Sequence, residues 1–221
     1  HVLNLNMTKK KSKQNKTTNQ PRNMANQQPN RRRRRRNDGL QNPGRRPAGH
    51  IRVNGSDATL VVAHEELAYT VTSQKEKNKL VATNRINFWP GKSGLTRLDQ
   101  FGRMYDQYRV RKLVVKYLTA SGTVTSGSTI TGIDYDASDY PGTLGALQVN
   151  QPKLRVPVWE SGSMRLDIDR LNKSRWMFTS AGIATSTPGF TSACAVTSSA
   201  PASDTEISYG EVWVDYEVVF T

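Results

Sequence analysis

The sequence predicts an all-β body, an antiparallel sandwich or barrel, preceded by a disordered basic arm. Three observations predict it. From about residue 57 onward apolar and polar residues alternate with period two, the signature of half-buried strands. Gly/Pro/Ser/Thr clusters such as "TASGTVTSGS", "DYPGTLG" and "SAGIATSTPG" punctuate these stretches as connections. And the charge divides sharply: residues 1–50 hold fourteen bases against the single acid Asp38, a balance of +13, while 51–221 hold eighteen bases against seventeen acids, a balance of +1.

The arm reads first. "TKKKSKQNKTTNQPRNMANQQPNRRRRRRNDGLQNPGRRPAG" is Asn, Gln, Lys, Arg and Pro with scattered apolar residues. Such a segment buries too little apolar surface to offset its ordering entropy and is expected to be disordered alone. "HVLNLNM" is too short for a membrane span or a signal h-region, and nothing else in the chain reads as transmembrane. The six residues before Met7 are expected to be read in from upstream or an added remnant. The boundary is placed so that 1–55 is the arm and 56–221 the folded domain.

In the body, "ATLVVAHEELAYTVT" and "YRVRKLVVKYL" read as strands rich in Val, Thr and Tyr. Between them "GLTRLDQFGRMYDQY" sets Leu95, Leu98, Phe101 and Tyr105 at helical spacing, and "GTLGALQV" is read as a second short helix. "KLRVPVWE" places Leu154, Val156 and Val158 together; "GSMRLDIDR" alternates Met164, Leu166 and Ile168 against Arg165, Asp167 and Asp169. "SYGEVWVDYEVVF" lines up Val212, Val214, Tyr216, Val218 and Phe220, with Trp213, Asp215 and Glu217 opposite. This gives eight or nine strands and one or two short helices. No repeat of fixed period argues for a propeller or solenoid.

Catalytic chemistry finds little to work with. His64 sits in "VAHEELAY", which is not HExxH because the fourth residue on is Ala68. There is no GxSxG, Walker loop, GxGxxG or Cys/His cluster. The lone Cys194, in "TSACAVTSSAPASD", rules out an intrachain disulfide, suits a reducing compartment, and reads as a buried or loop thiol rather than a nucleophile. "TSSAPASD" itself reads as a solvated surface loop. No enzyme is expected.

Two clusters carry binding chemistry. "GIDYDASDYPG" holds Asp134, Asp136 and Asp139 at a strand end. They are either turn-forming aspartates in water or part of a site for a hard cation such as calcium, whose remaining ligands come from elsewhere. The basic residues Lys9, Lys10, Lys11, Lys13, Lys16, Arg22, Arg31, Arg32, Arg33, Arg34, Arg35, Arg36, Arg45 and Arg46 read either as an import signal or solubilising tail, or as a polyanion ligand. Arginine forks onto phosphates, and each neutralised phosphate releases a counterion. The arm has no aromatic residue for base stacking. The expected partner is nucleic acid, bound electrostatically and with little regard to sequence.

In order and spacing, these segments resemble the small coat proteins of icosahedral positive-strand RNA viruses, in particular the sobemovirus-like and tombusvirus-like ones. "ATLVVAHEELAYTVTS", with His64, Glu66 and Leu67, looks like their opening strands. "LDQFGRMYDQYRVRKLVVKYLTASGTVTSGSTITGIDYDASDYP" looks like their helix, strand, Ser/Thr/Gly-rich loop and following strand, and "YGEVWVDYEVVF" like their last strand. The resemblance implies an eight-stranded antiparallel jelly-roll shell domain that self-assembles into an icosahedral (T=3) virion of about 180 copies. The arm would bind packaged single-stranded RNA, with assembly in the host cytoplasm. About 2,300 arm charges would then face the phosphates. It also implies calcium between subunits at Asp136 and Asp139, and neither a protruding domain nor a self-cleaving C-terminal segment. "NPGRRPAGHI" has the composition, without a repeat, of an arm segment that orders into a ring in such shells. The rival reading is a non-capsid viral RNA-binding protein with a β-sandwich body.

Overall fold

The structure, a computed structural model, describes residues 50–54, 59–75, 84–136, 141–181 and 192–221. All of them lie in one compact unit, Pro43–Thr221. The fourteen basic residues of the arm, and Asp139, lie outside the described residues. In chain order the elements are β1 (His50–Asn54), β2 (Thr59–Thr72), β3 (Arg85–Asn87), α1 (Thr96–Gly102), β4 (Gln107–Thr119) and β5 (Ser128–Asp134). There follow α2 (Leu144–Val149), β6 (Lys153–Pro157), β7 (Gly162–Arg165), α3 (Ile168–Leu171), β8 (Met177–Phe178), β9 (Ala195–Ser199) and β10 (Ser208–Phe220).

The alternating stretches become paired strands because each must bury one face and satisfy its backbone. β10 lies between β2 and β4, antiparallel to both. Its Val212, Val214, Tyr216, Val218 and Phe220 are fully buried. They meet Leu60, Val62, Tyr69 and Val71 of β2 and Tyr108, Val110, Leu113, Val115 and Tyr117 of β4 in a single apolar core. One sheet runs β1-β2-β10-β4-β7, with β8 also on β4; the facing sheet runs β3-β9-β5-β6. Neighbours in space are far apart in sequence, as in a jelly roll. The eight strands β2 to β7, β9 and β10 make the expected sandwich, and β1 and β8 are short additions to the first sheet.

The structure differs from the sequence reading in four places. β1 forms ahead of residue 56; its described side chains are all exposed, so no core alternation marks it. The alternation in "GSMRLDIDR" does not continue as strand: β7 stops at Arg165, and the Asp167 carboxylate accepts from the Asp169 N–H (3.0 Å) and caps α3. Asn172 then bonds both the N–H (2.9 Å) and the C=O (2.8 Å) of Val110, taking the place of a strand partner.

The third difference is the Ser/Thr stretch read as a solvated loop. Residues 195–199 form β9, buried throughout and lying between β3 and β5. Its two serine hydroxyls tolerate burial because side chains of neighbouring segments pair with them, whereas Thr197 Oγ1 is buried with no partner among the described residues. Ser198 Oγ shares hydrogen bonds with Tyr69 (2.8 Å) and Thr131 (2.8 Å), and Ser199 Oγ accepts from the Gln74 amide (2.7 Å).

The fourth is a bulge. β4 slips register against β10 between Glu217 and Val218, so that Lys112 faces Glu217 and Val110 faces Val218, with Arg111 the extra residue. Strict alternation would turn Lys112 inward; with the bulge, Arg111 and Lys112 both stay on the outer face. Among the described residues no helix is long and apolar enough to cross a membrane.

Candidate functional site

Glu66, one of the residues behind the resemblance, is a tether between β2 and α1. Leu95, at the N-cap of α1, offers no side-chain cap, which leaves the first N–H groups of the helix without an intrahelical partner. The Glu66 carboxylate fills that role from another element: it accepts from the N–H of Arg97 (2.8 Å) and of Leu98 (3.1 Å), and from the Tyr216 hydroxyl. Burial, with the Glu66 carboxylate beside it, pushes the Tyr216 phenol well above its ordinary value. His64, two residues before, has a buried Nδ1 with no hydrogen-bond partner among the described residues.

A second carboxylate fixes the loop that leads into α1. Asp99, buried, accepts from the N–H of Gly91 (2.9 Å), Ser93 (2.9 Å) and Gly94 (2.8 Å) and from Ser93 Oγ (2.7 Å). Gly91 and Gly94 hold φ of 97° and 86°, conformations that favour glycine. Helical spacing revealed α1 in the sequence; nothing there revealed that two acids pin it.

The acidic turn follows β5. Asp134 ends the strand, and its Oδ1 accepts from the Asp136 N–H at 2.8 Å, an Asx turn of the kind the turn reading expects. Asp134, Tyr135 and Asp136 open onto a cleft of about 680 Å³ that Asn150, Gln151, Arg170 and Lys173 complete. Two cations thus face the two acids: the Arg170 guanidinium lies 4.3 Å from the Tyr135 ring, and Lys173 donates to the Ser192 carbonyl (3.1 Å). The Asn150 amide nitrogen is buried without a partner among the described residues. Carboxylate and amide oxygens suit a hard cation in kind, but calcium takes about six to eight oxygens. Among the described residues no group of three or more His, Cys, Asp or Glu gathers around one point. The residues present fit a metal only if further ligands join them.

The outer face of the first sheet is a charge ladder. Lys112 pairs with Asp215 (2.9 Å), Lys116 with Glu65 (3.1 Å) and Asp215 (3.4 Å), and Arg111 more loosely with Glu217 (3.7 Å). The Cys194 thiol is buried and pushed up to about 12 by desolvation, so it carries no thiolate near neutral pH.

Residues 43–221 match the family model described as viral coat protein (S domain). The chain belongs to that coat-protein family. Solved virus structures share its fold. The Tobacco necrosis virus protein superposes with a TM-score of 0.65 at 16% identity, over 80% of this chain and 87% of that one. Cocksfoot mottle virus gives 0.60 at 13% over 72% and 92%, and Mud crab tombus-like virus 0.61 at 15% over 81% and 93%. No curated protein matches it in sequence. The coat protein is therefore a structural component of the virion and not an enzyme. This sets aside the non-capsid RNA-binding reading.

Proposed function

We propose that the coat protein closes an icosahedral shell of about 180 copies around single-stranded RNA, with the arm from Lys9 to Arg46 holding the RNA and assembly taking place in the host cytoplasm. One observation carries this: a balance of +13 in the first 50 residues against +1 in the rest. A near-neutral body packs against copies of itself without large repulsion, and the basic arm meets the polyanion. Electron microscopy of the full chain, with and without added RNA at low salt, tests it. Uniform spherical particles whose encapsidated RNA is released by salt are expected. Irregular RNA-coated aggregates, or closed shells that exclude RNA, would overturn the packaging role.

The acidic turn is proposed to bind calcium between subunits through Asp136 and Asp139, with ligands from a neighbouring copy. The carboxylates of Asp134 and Asp136 on one cleft, with the side-chain amides of Asn150 and Gln151, support it. Wild-type particles should swell on chelation, seen as a larger hydrodynamic radius. Particles of the double variant Asp136→Asn, Asp139→Asn should not respond. Equal swelling in both would sink the calcium role.

A further inference from the structure

The arm contains no Phe, Tyr or Trp, so stacking of an RNA base on such a ring has to come from the folded body. One place on the body combines arginine with an aromatic ring. A cleft of about 570 Å³ at the end of the outer face of the first sheet is lined by Thr59, Arg109, Arg111, Ile168, Trp176 and Val219, with no acid among its lining residues.

The fold explains how they meet. Tyr108 pairs with Met177 across β4 and β8, and both point into the core. Arg109 follows Tyr108 in β4 and Trp176 directly precedes β8, and both line the cleft. Arg109 is exposed and has no acidic partner among the described residues. The bulge keeps Arg111 on this face too, balanced among the described residues by the 3.7 Å contact to Glu217. Trp176 is half-buried, and its indole N–H has no acceptor among the described residues.

The row extends across the sheet to β1. Arg109 pairs with Val219, Val219 with Val61, and Val61 with Arg52 of β1. Arg52 is exposed three strands away, roughly 14 Å. β1 begins at His50, directly after the basic segment in the chain.

We propose that this cleft is a second RNA-contact site: Trp176 stacks an unpaired base, and Arg109 and Arg111 fork onto the adjoining phosphates. The inference rests on the reading that the shell packages RNA. Its ligand is a single-stranded nucleotide unit bound without regard to sequence, because every base has a face to stack.

The test uses full-length particles assembled around RNA that carries 4-thiouridine, irradiated, digested and mapped by mass spectrometry. Cross-links are expected both in residues 1–49 and in the peptide that holds Trp176. Trp176→Phe should keep the second set, and Trp176→Leu should lower it about tenfold while the arm cross-links persist. Cross-links confined to the arm overturn the cleft and leave the arm's role standing. Cross-links confined to the cleft overturn the arm's role instead, and none at either place overturns both. Trp176→Leu particles with undiminished cleft cross-links would overturn the stacking role. If the cleft gives no cross-link and Arg109→Glu abolishes shells, the cleft serves contact with another copy of the chain and not RNA.

Discussion

Glu66 shows what one side chain decides in this protein. It collects two backbone N–H groups of α1 and the Tyr216 hydroxyl, and hydrogen bonds to a charged group are worth about 1.5–3 kcal/mol each in measured series, with poor additivity. Glu66→Ala is expected to cost about 3 kcal/mol and Glu66→Gln, which keeps an acceptor, about 1 kcal/mol. The measurement is the urea midpoint at constant slope. An unchanged midpoint in Glu66→Ala would show that the helix needs no tether. The residue was legible as a member of a familiar segment, but its task was not. The amides it holds lie 31 and 32 residues further along, and no local pattern links them. The acidic turn was more legible, since an Asx turn is a contact between near neighbours.

Among the elements, α1 and the loop before it are packed backbone against backbone. A Cβ added at Gly102 would lie 2.3 Å from the Gly91 nitrogen and 2.3 Å from the Pro90 carbonyl carbon, and main chain cannot swing aside. Gly94 is the opposite case: nothing lies within 4 Å of its added Cβ, and only its φ of 86° resists substitution. Gly94→Ala should therefore cost about 1 kcal/mol, and Gly102→Ala about 3 kcal/mol or more. Thermal melts of the two variants check this order, and the reverse order would contradict the close approach. The helices α1 and α2 were visible in the sequence, whereas α3, β9 and the bulge at Arg111 were not. β9 is made of small polar residues that resemble a loop until their partners Tyr69, Thr131 and Gln74 arrive from other strands. The bulge is a mismatch between two strands, and neither strand contains it alone.

Over the whole molecule, the core is rich in tyrosine. Burial raises the phenols of Tyr69, Tyr108 and Tyr216 above their ordinary 10.0, and raises the Cys194 thiol from 9.0 to about 12. These acids are neutral in the folded protein and ionise more easily in the unfolded chain. Their contribution is complete below pH 9 and is lost as pH rises through 9 and 10 toward the folded values. The urea midpoint should hold steady from pH 7 to about 9 and fall steeply above 10. A midpoint unchanged at pH 11 would contradict the buried phenols. The sequence by itself determined the division into a basic arm and a near-neutral body, the sandwich class, and the positions of most strands and of α1. Charge balance and hydrophobic period are properties of neighbouring residues and can be read along the chain. Only the tertiary structure decided the tether at Glu66, the buried hydroxyls of β9, the outward turn of Lys112, and the meeting of Arg109 with Trp176. Each of these is a contact across strands far apart in sequence, and which residues meet there is set by register and sheet order.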